Sequence, residues 1–339
     1  MWEQIRSNQI RSVVLVIAMG ALLVVLGYVL GLSFLDSPLG GLAIALAVWL
    51  VMSLVGYFQG DSLLLSISRA KKIKRDDNPR LYNIVEEMKI ASGLENMPNV
   101  YIIDDPALNA FATGRDPKRA SVAITTGLLE KLNRDELQGV IAHEMSHIKN
   151  RDVLLMAMIS IMLGTIVILA WYGSHILIFG GMGGRRSSKG GGGAQIIILV
   201  VALAFMILAP IMAQLIYFAV SRKREYLADA SAALYTRYPE GLASALEKLG
   251  ASTGQLKSAN KATAPMYIVN PFRKKGMRAS DLSSTHPPIS ERIRILRAMA
   301  GNSFGDYDQA YRQVHGGKGV IPAASIAGGG DYPVAGPEA

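Results

Sequence analysis

The chain has 339 residues, is half hydrophobic and carries a net charge of +9. It contains no cysteine, which excludes disulfides, thiol nucleophiles and cysteine metal ligands and fits a reducing compartment. The positive charge does not point to nucleic acid. Its basic residues gather at the ends of apolar runs, where anionic lipid accounts for them, as in Arg69-Ala70-Lys71-Lys72-Ile73-Lys74-Arg75.

Four stretches are long enough to cross a bilayer, which takes about 20 apolar residues. They are Val13–Leu35, Leu39–Phe58, Val153–Phe179 and Ala194–Val220, and none contains Asp, Glu, Lys or Arg. The first is too long for a signal-peptide core and lacks a small-residue cleavage site, so it reads as an anchor. Residues 59–152 hold fourteen Lys and Arg, and residues 221–339 hold sixteen. The bias toward basic residues inside then places both termini and the middle region in the cytoplasm. The loop 180–193, with eight glycines and Arg185, Arg186 and Lys189, falls outside.

The first soluble piece, residues 59–152, opens with a helix-like register over Leu81–Ala91, with Leu81, Ile84, Val85 and Met88 on one face. Val100–Ile103 and Ser121–Ile124 read as strands. Asn109–Gly114 between them is either a turn or an edge strand. Asn133 followed three positions on by Glu136 is a helix-start signature. Leu137, Ile141, Met145 and Ile148 continue it as an apolar stripe, and the polar residues are expected on the opposite face.

That helix carries His143-Glu144-Met145-Ser146-His147, an H-E-x-x-H motif. Residues four apart share one face, separated by about 6 Å along the axis, so both imidazoles can close on one metal ion. Zinc accepts imidazole nitrogen and needs three protein ligands in a catalytic site, which leaves a position for water. Glu144 lies beside the pair as the base for that water.

The motif ends where the third apolar stretch begins. If the third and fourth stretches form a hairpin, the chain returns to the same side at Ser221. There lies Ser221-Arg222-Lys223-Arg224-Glu225-Tyr226-Leu227-Ala228-Asp229. Glu225 would complete a His₂Glu set. Asp229, one turn on, would accept the free N–H of a ligand histidine and fix its tautomer. The alternative is an ordinary charged helix beside the membrane, with Glu225 paired to Arg222 or Lys223.

Together with K-N-R-D after the motif, N-A-F-A-T-G upstream and T-H-P-P near residue 286, these segments resemble the HtpX family of membrane zinc endopeptidases, relatives of the CAAX prenyl proteases. The resemblance covers about residues 1–300. It implies an α+β gluzincin-like zinc-protease domain joined to four transmembrane helices, in the cell inner membrane, with a role in membrane-protein quality control. It implies one zinc per chain on His143, His147 and Glu225, with Glu144 catalytic. It also makes Asn109–Gly114 an edge strand for extended substrate, with Asn109 and Phe111 as substrate-binding residues. His286 becomes an oxyanion donor, against its simpler reading as a helix cap before Pro287. Arg292 on the following helix could anchor an acidic group near the site. Asp152 reads as a charge at a span boundary.

The expected organisation is two membrane helices in 1–58, the first part of the catalytic domain in 59–152, a membrane hairpin in 153–220, the second part in 221–300 and a disordered Gly/Ala/Pro-rich tail in 301–339. Expected partners are membrane-protein substrates and the bilayer, with self-association open. A non-catalytic zinc scaffold is the rival reading, opposed by the retained Glu144, because a structural zinc site needs no base. Prenyl-protein processing is a further rival, weakened by having only four spans.

Overall fold

The computed structural model describes residues 2–34, 37–161, 222–252, 254–257, 264–269 and 287–327. Apart from the first nine residues of the third, the expected spans three and four lie outside these, as do the loop 180–193 and His286.

Helices α1 (Trp2–Phe34) and α2 (Pro38–Ile67) form a hairpin. Ser37 accepts a hydrogen bond from the Gly40 N–H and Pro38 takes the first helical turn, so α2 starts sharply. The two helices touch at backbone level. A Cβ at Gly27 would stand 2.6 Å from the Gly41 carbonyl oxygen, and one at Gly41 would stand 2.0 Å from that of Gly27. Among the described residues, α2 is the one helix long and apolar enough to cross a membrane, and α1 holds a shorter apolar run, Val13–Val25. α2 continues nine residues past the apolar stretch that ends at Phe58. Its last turns bury Leu64 and Leu65 against the domain that follows.

That domain is a four-stranded sheet packed against helices. β1 (Ala70–Lys72), β2 (Asn99–Ile103), β3 (Ala110–Thr113) and β4 (Ser121–Thr125) lie in the order β1-β2-β4-β3. β2 and β4 are parallel, while β1 and β3 pair antiparallel at the two edges. Asn109–Gly114 is therefore mostly edge strand rather than turn. The strand ends at Gly114, whose φ of +141° and close approach to the Arg119 carbonyl leave no room for a side chain.

α3 (Pro79–Ser92), capped by Asn78 and closed by left-handed Gly93, and the short α4 (Thr126–Lys131) precede the central helix, α5 (Arg134–Lys149). The Asn133–Glu136 capping box starts α5 as the sequence predicts. The expected division into a buried and a polar face does not hold. Leu137, Val140, Ile141, Met145 and Ile148 are buried, and so are Glu136, His143, Glu144 and Ser146. The reason is that α3, the sheet and two returning helices surround it. These are α7 (Arg222–Thr236) and α8 (Pro239–Ala251), which follow α6 (Asp152–Ile161). α8 approaches α5 so closely that a Cβ at Gly139 would stand 2.7 Å from the Leu242 nitrogen.

Val153–Ile159, the start of the expected third span, are nearly all buried by protein, and several join α2 and the sheet in a second apolar cluster. The expectation for the tail needs correction. Residues 301–339 are not a disordered tail throughout. α10 (Phe304–His315), capped by Ser303, follows α9 (Ile289–Arg297), and a short α11 (Ala323–Ala327) ends the described chain. Phe304, Tyr307 and Ala310 recur at a spacing of three and bury in the main core, which explains why this segment is ordered. Pro287 is not the first helical residue either, since α9 begins at Ile289 with Pro288 as its N-cap.

Candidate metal centre

α5 presents His143 and His147, and α7 brings Glu225 across to them. The two Nε2 atoms are 3.2 Å apart. Glu225 places its carboxylate oxygens 3.7 Å from His143 Nε2 and 3.8 Å from His147 Nε2. Ligand atoms held tetrahedrally at about 2.0–2.1 Å stand roughly 3.3 Å apart, so this triangle matches a single small cation.

The remaining ring nitrogens explain the orientation. His143 Nδ1 lies 3.0 Å from Asp229 Oδ1, and His147 Nδ1 lies 3.0 Å from Asp152 Oδ2. When each Nδ1–H donates to its carboxylate, both Nε2 lone pairs and the Glu225 carboxylate converge on one point. Three acceptors facing each other in a buried site repel unless a cation or a proton stands between them. The donor chemistry thus fits a metal ion.

Asp229 is itself clamped. Arg292, fully buried on α9, donates from Nε to Oδ2 at 2.8 Å and from Nη2 to Oδ1 at 2.6 Å. Burial alone would raise the Asp229 carboxyl. The Arg292 charge and hydrogen bonds, with His143, hold it below the ordinary range. For His143, burial pulls the pKa down, but hydrogen bonds from the ring to Asp229 and Glu225 win and set it to about 9 without a metal. Burial raises the Glu144 carboxyl above its usual range. The two histidines pull it down, Glu225 pushes it up, and the Ala112 backbone N–H, which it accepts, lowers it again.

Glu144 lines a cavity with His147, Asp152, Arg224, Glu225 and Ala112. Arg224 stands 3.6 Å from Asp152 Oδ2 and 3.7 Å from Glu225 Oε1, beyond hydrogen-bond reach of either. Other sequence candidates fall differently. Asn109 is buried and its side chain serves its own chain. Nδ2 donates to the Val269 carbonyl at 3.1 Å, and Oδ1 accepts from the Ala110 N–H. Phe111 is buried edge-on against Tyr267, with ring centroids 5.3 Å apart. In this arrangement neither side chain is open to a substrate. His286 lies outside the described residues. Asp152, read from sequence as a boundary charge, is instead the partner of His147. In an unbroken helix, five residues on would face another way. Here α5 ends at Lys149 with Asn150 as its C-cap, Arg151 takes a left-handed φ of 57°, and Asp152 swings back under the ring.

The chain is similar to known proteins over most of its length. The description of peptidase family M48 matches residues 75–300. A protease HtpX homolog of Dictyoglomus turgidum is 45% identical over 304 residues, covering 88% of this chain and 94% of that protein. A protease HtpX homolog of Streptococcus mutans is 43% identical over 301 residues, covering 88% of this chain and 100% of that protein. Among solved structures, S. mikatae Ste24p is similar at 21% identity with a TM-score of 0.47, over 87% of this chain and 67% of that one.

Proposed function

The chain belongs to peptidase family M48, as a membrane metalloprotease, and we propose that it is a zinc endopeptidase cutting cytoplasmic segments of misfolded or damaged membrane proteins. The observation that carries this reading is the convergence of His143 Nε2, His147 Nε2 and Glu225 beside the buried Glu144. His143, His147 and Glu225 would hold zinc, with Asp229 and Asp152 fixing the two rings. Zinc, when bound, supplies Lewis acidity that polarises a scissile carbonyl and lowers the pKa of water from about 15.7 to roughly 7.

The chain's own residues do the rest. The Glu144 carboxylate takes a proton from the attacking water and returns it to the leaving nitrogen. Burial is the main cause that raises its pKa above the ordinary carboxyl range, the direction that strengthens it as a base. The β3 edge pairs with an extended substrate backbone, as strand addition requires. His286 would steady the oxyanion from the T-H-P-P segment. The basic residues of 59–152 and 221–339 argue for a cytoplasmic catalytic domain and four crossings.

The test uses the full chain in detergent, loaded with zinc, with an unfolded membrane protein as substrate. Glu144→Gln should stay folded and zinc-loaded while losing about 10²–10⁴-fold in rate. Cleavage at the wild-type rate by zinc-loaded Glu144→Gln would end this mechanism. Reporter fusions at Lys71 and Asp281 should read cytoplasm, and one at Lys189 the outside. A cytoplasmic signal at Lys189 removes the outer hairpin.

A further inference from the structure

The edge of β3 already has an occupant. Residues 264–269 lie against it, and Met266, Tyr267, Ile268 and Val269 are all buried. The Ile268 N–H donates to the Ala110 carbonyl at 3.1 Å. The Ile268 carbonyl accepts from Arg292 Nη1 at 3.4 Å, and the Val269 carbonyl accepts from Asn109 Nδ2 at 3.1 Å. Met266, Tyr267 and Ile268 also line the cavity that contains Glu144 and His147.

A peptide joining β3 as a new strand needs the backbone groups that point away from β4. The Asn109 carbonyl accepts from the Thr125 N–H, so Asn109 faces β4 and the alternate residues Ala110 and Ala112 face outward. The Ala110 N–H already bonds Asn109 Oδ1, and the Ala112 N–H faces the Glu144 carboxylate, whose pKa it lowers. The outward acceptors for a substrate N–H are the Ala110 and Ala112 carbonyls, and Ile268 holds the first of them. The segment thus takes one backbone acceptor of this edge through the Ile268 N–H, and the side chains of Arg292 and Asn109 hold its next two carbonyls.

We propose that Met266–Val269 is an intramolecular stand-in for substrate, and that a peptide binds by displacing it and taking over the Ala110 carbonyl, Asn109 Nδ2 and Arg292 Nη1. This rests on the protease reading above. The stand-in is latched by Tyr267. Its ring packs edge-on against Phe111, and its hydroxyl lies 3.2 Å from Ser68 Oγ. Ser68 is the C-cap of α2, the membrane helix, so the latch joins that helix to the substrate edge. The geometry also sets a rule for the ligand. The residue that replaces Ile268 must donate an N–H, so proline is excluded there. The competing explanation is that the segment only shields an edge strand from unwanted pairing.

The experiment uses the full chain, zinc-loaded, in the Glu144→Gln background, and measures binding of an unstructured fluorescent peptide together with hydrogen exchange of 264–269. A site that is open only part of the time binds more weakly by that fraction. Tyr267→Ser, which loses both the ring contact and the hydroxyl, should tighten binding by about three-fold or more. Ser68→Ala, which loses only the hydroxyl partner, should tighten it by less. Saturating peptide should speed exchange across 264–269, and a proline-scanned peptide should lose binding at one position. The proposal is overturned if exchange there is unchanged or slowed by peptide, if both variants bind no tighter than the parent, or if no variant binds peptide at all. None of these readouts uses cleavage. A chain that binds peptide by displacement yet cleaves nothing would defeat the protease reading and leave the stand-in.

Discussion

The two metal-facing histidines sit on one helix and look alike in sequence, yet they are held in different ways. His143 is fully buried, and its carboxylate partner Asp229 comes from a helix nearly ninety positions on, clamped in turn by Arg292 from a third helix. His147 is 15% exposed, and its partner Asp152 is local, five residues on, next to an arginine that makes no hydrogen bond to it. The first half of the site is tied into the fold of the whole domain. The second depends on one backbone turn. The difference separates what the site needs in order to fold from what it needs in order to be aligned.

Stability should show the largest contrast. Arg292→Met leaves the Asp229 charge buried without its partner, and breaking such a pair costs roughly 3–5 kcal/mol. Arg224→Met removes a guanidinium that stands 3.6 Å from Asp152 without bonding it, and should cost much less. Chemical denaturation of the two variants beside the parent measures this. Equal losses would mean that the two halves are anchored alike.

Metal affinity should show a smaller contrast. Loss of a carboxylate behind a ligand histidine typically weakens metal binding by about 10–100-fold. Asp152→Ala should fall at the lower end. Asp229→Ala should fall at the upper end, because it leaves Arg292 Nη2 facing His143 Nδ1 at 3.5 Å. A donor there favours the wrong tautomer, with the proton on Nε2 where the metal should bind. Competition with a chelator ranks the variants, and a greater loss for Asp152→Ala would reverse the comparison.

The same contrast governs what could be read from the chain alone. His143, Glu144 and His147 follow from helical spacing, and so do Glu225 and Asp229 once the returning hairpin is assumed. The role of Asp152 was hidden because it requires Arg151 in a left-handed conformation, which nothing in the local pattern demands. Asn109 reads in the sequence as a residue that grips substrate. In the structure its amide holds Val269, a contact across 160 positions that no local pattern signals. α10 escaped notice for a different reason. Its apolar residues are spread among Gly, Asp and Gln, and the glycine-rich stretch after it dominates the composition of the tail.

The last contrast is in pH dependence. Hydrogen bonds to Asp229 and Glu225 overcome burial and raise His143 to about 9 in the metal-free chain. Below that pH the ring carries a proton that the metal must displace. Above it, none remains to be displaced. Affinity should therefore climb by about tenfold per pH unit from pH 7 upward and level off near 9, because binding then releases one proton. Asp229→Asn keeps the shape of the side chain but removes the charge behind much of that rise. The levelling-off should then move to lower pH, even as overall affinity drops. Zinc titrations between pH 6.5 and 9.5, corrected for the chelator's own protonation, decide it. A flat profile in the parent, or an unmoved one in Asp229→Asn, would show that Asp229 orients the ring without setting its proton affinity. The anchoring of His143 would then set where its lone pair points and not how tightly it holds its proton.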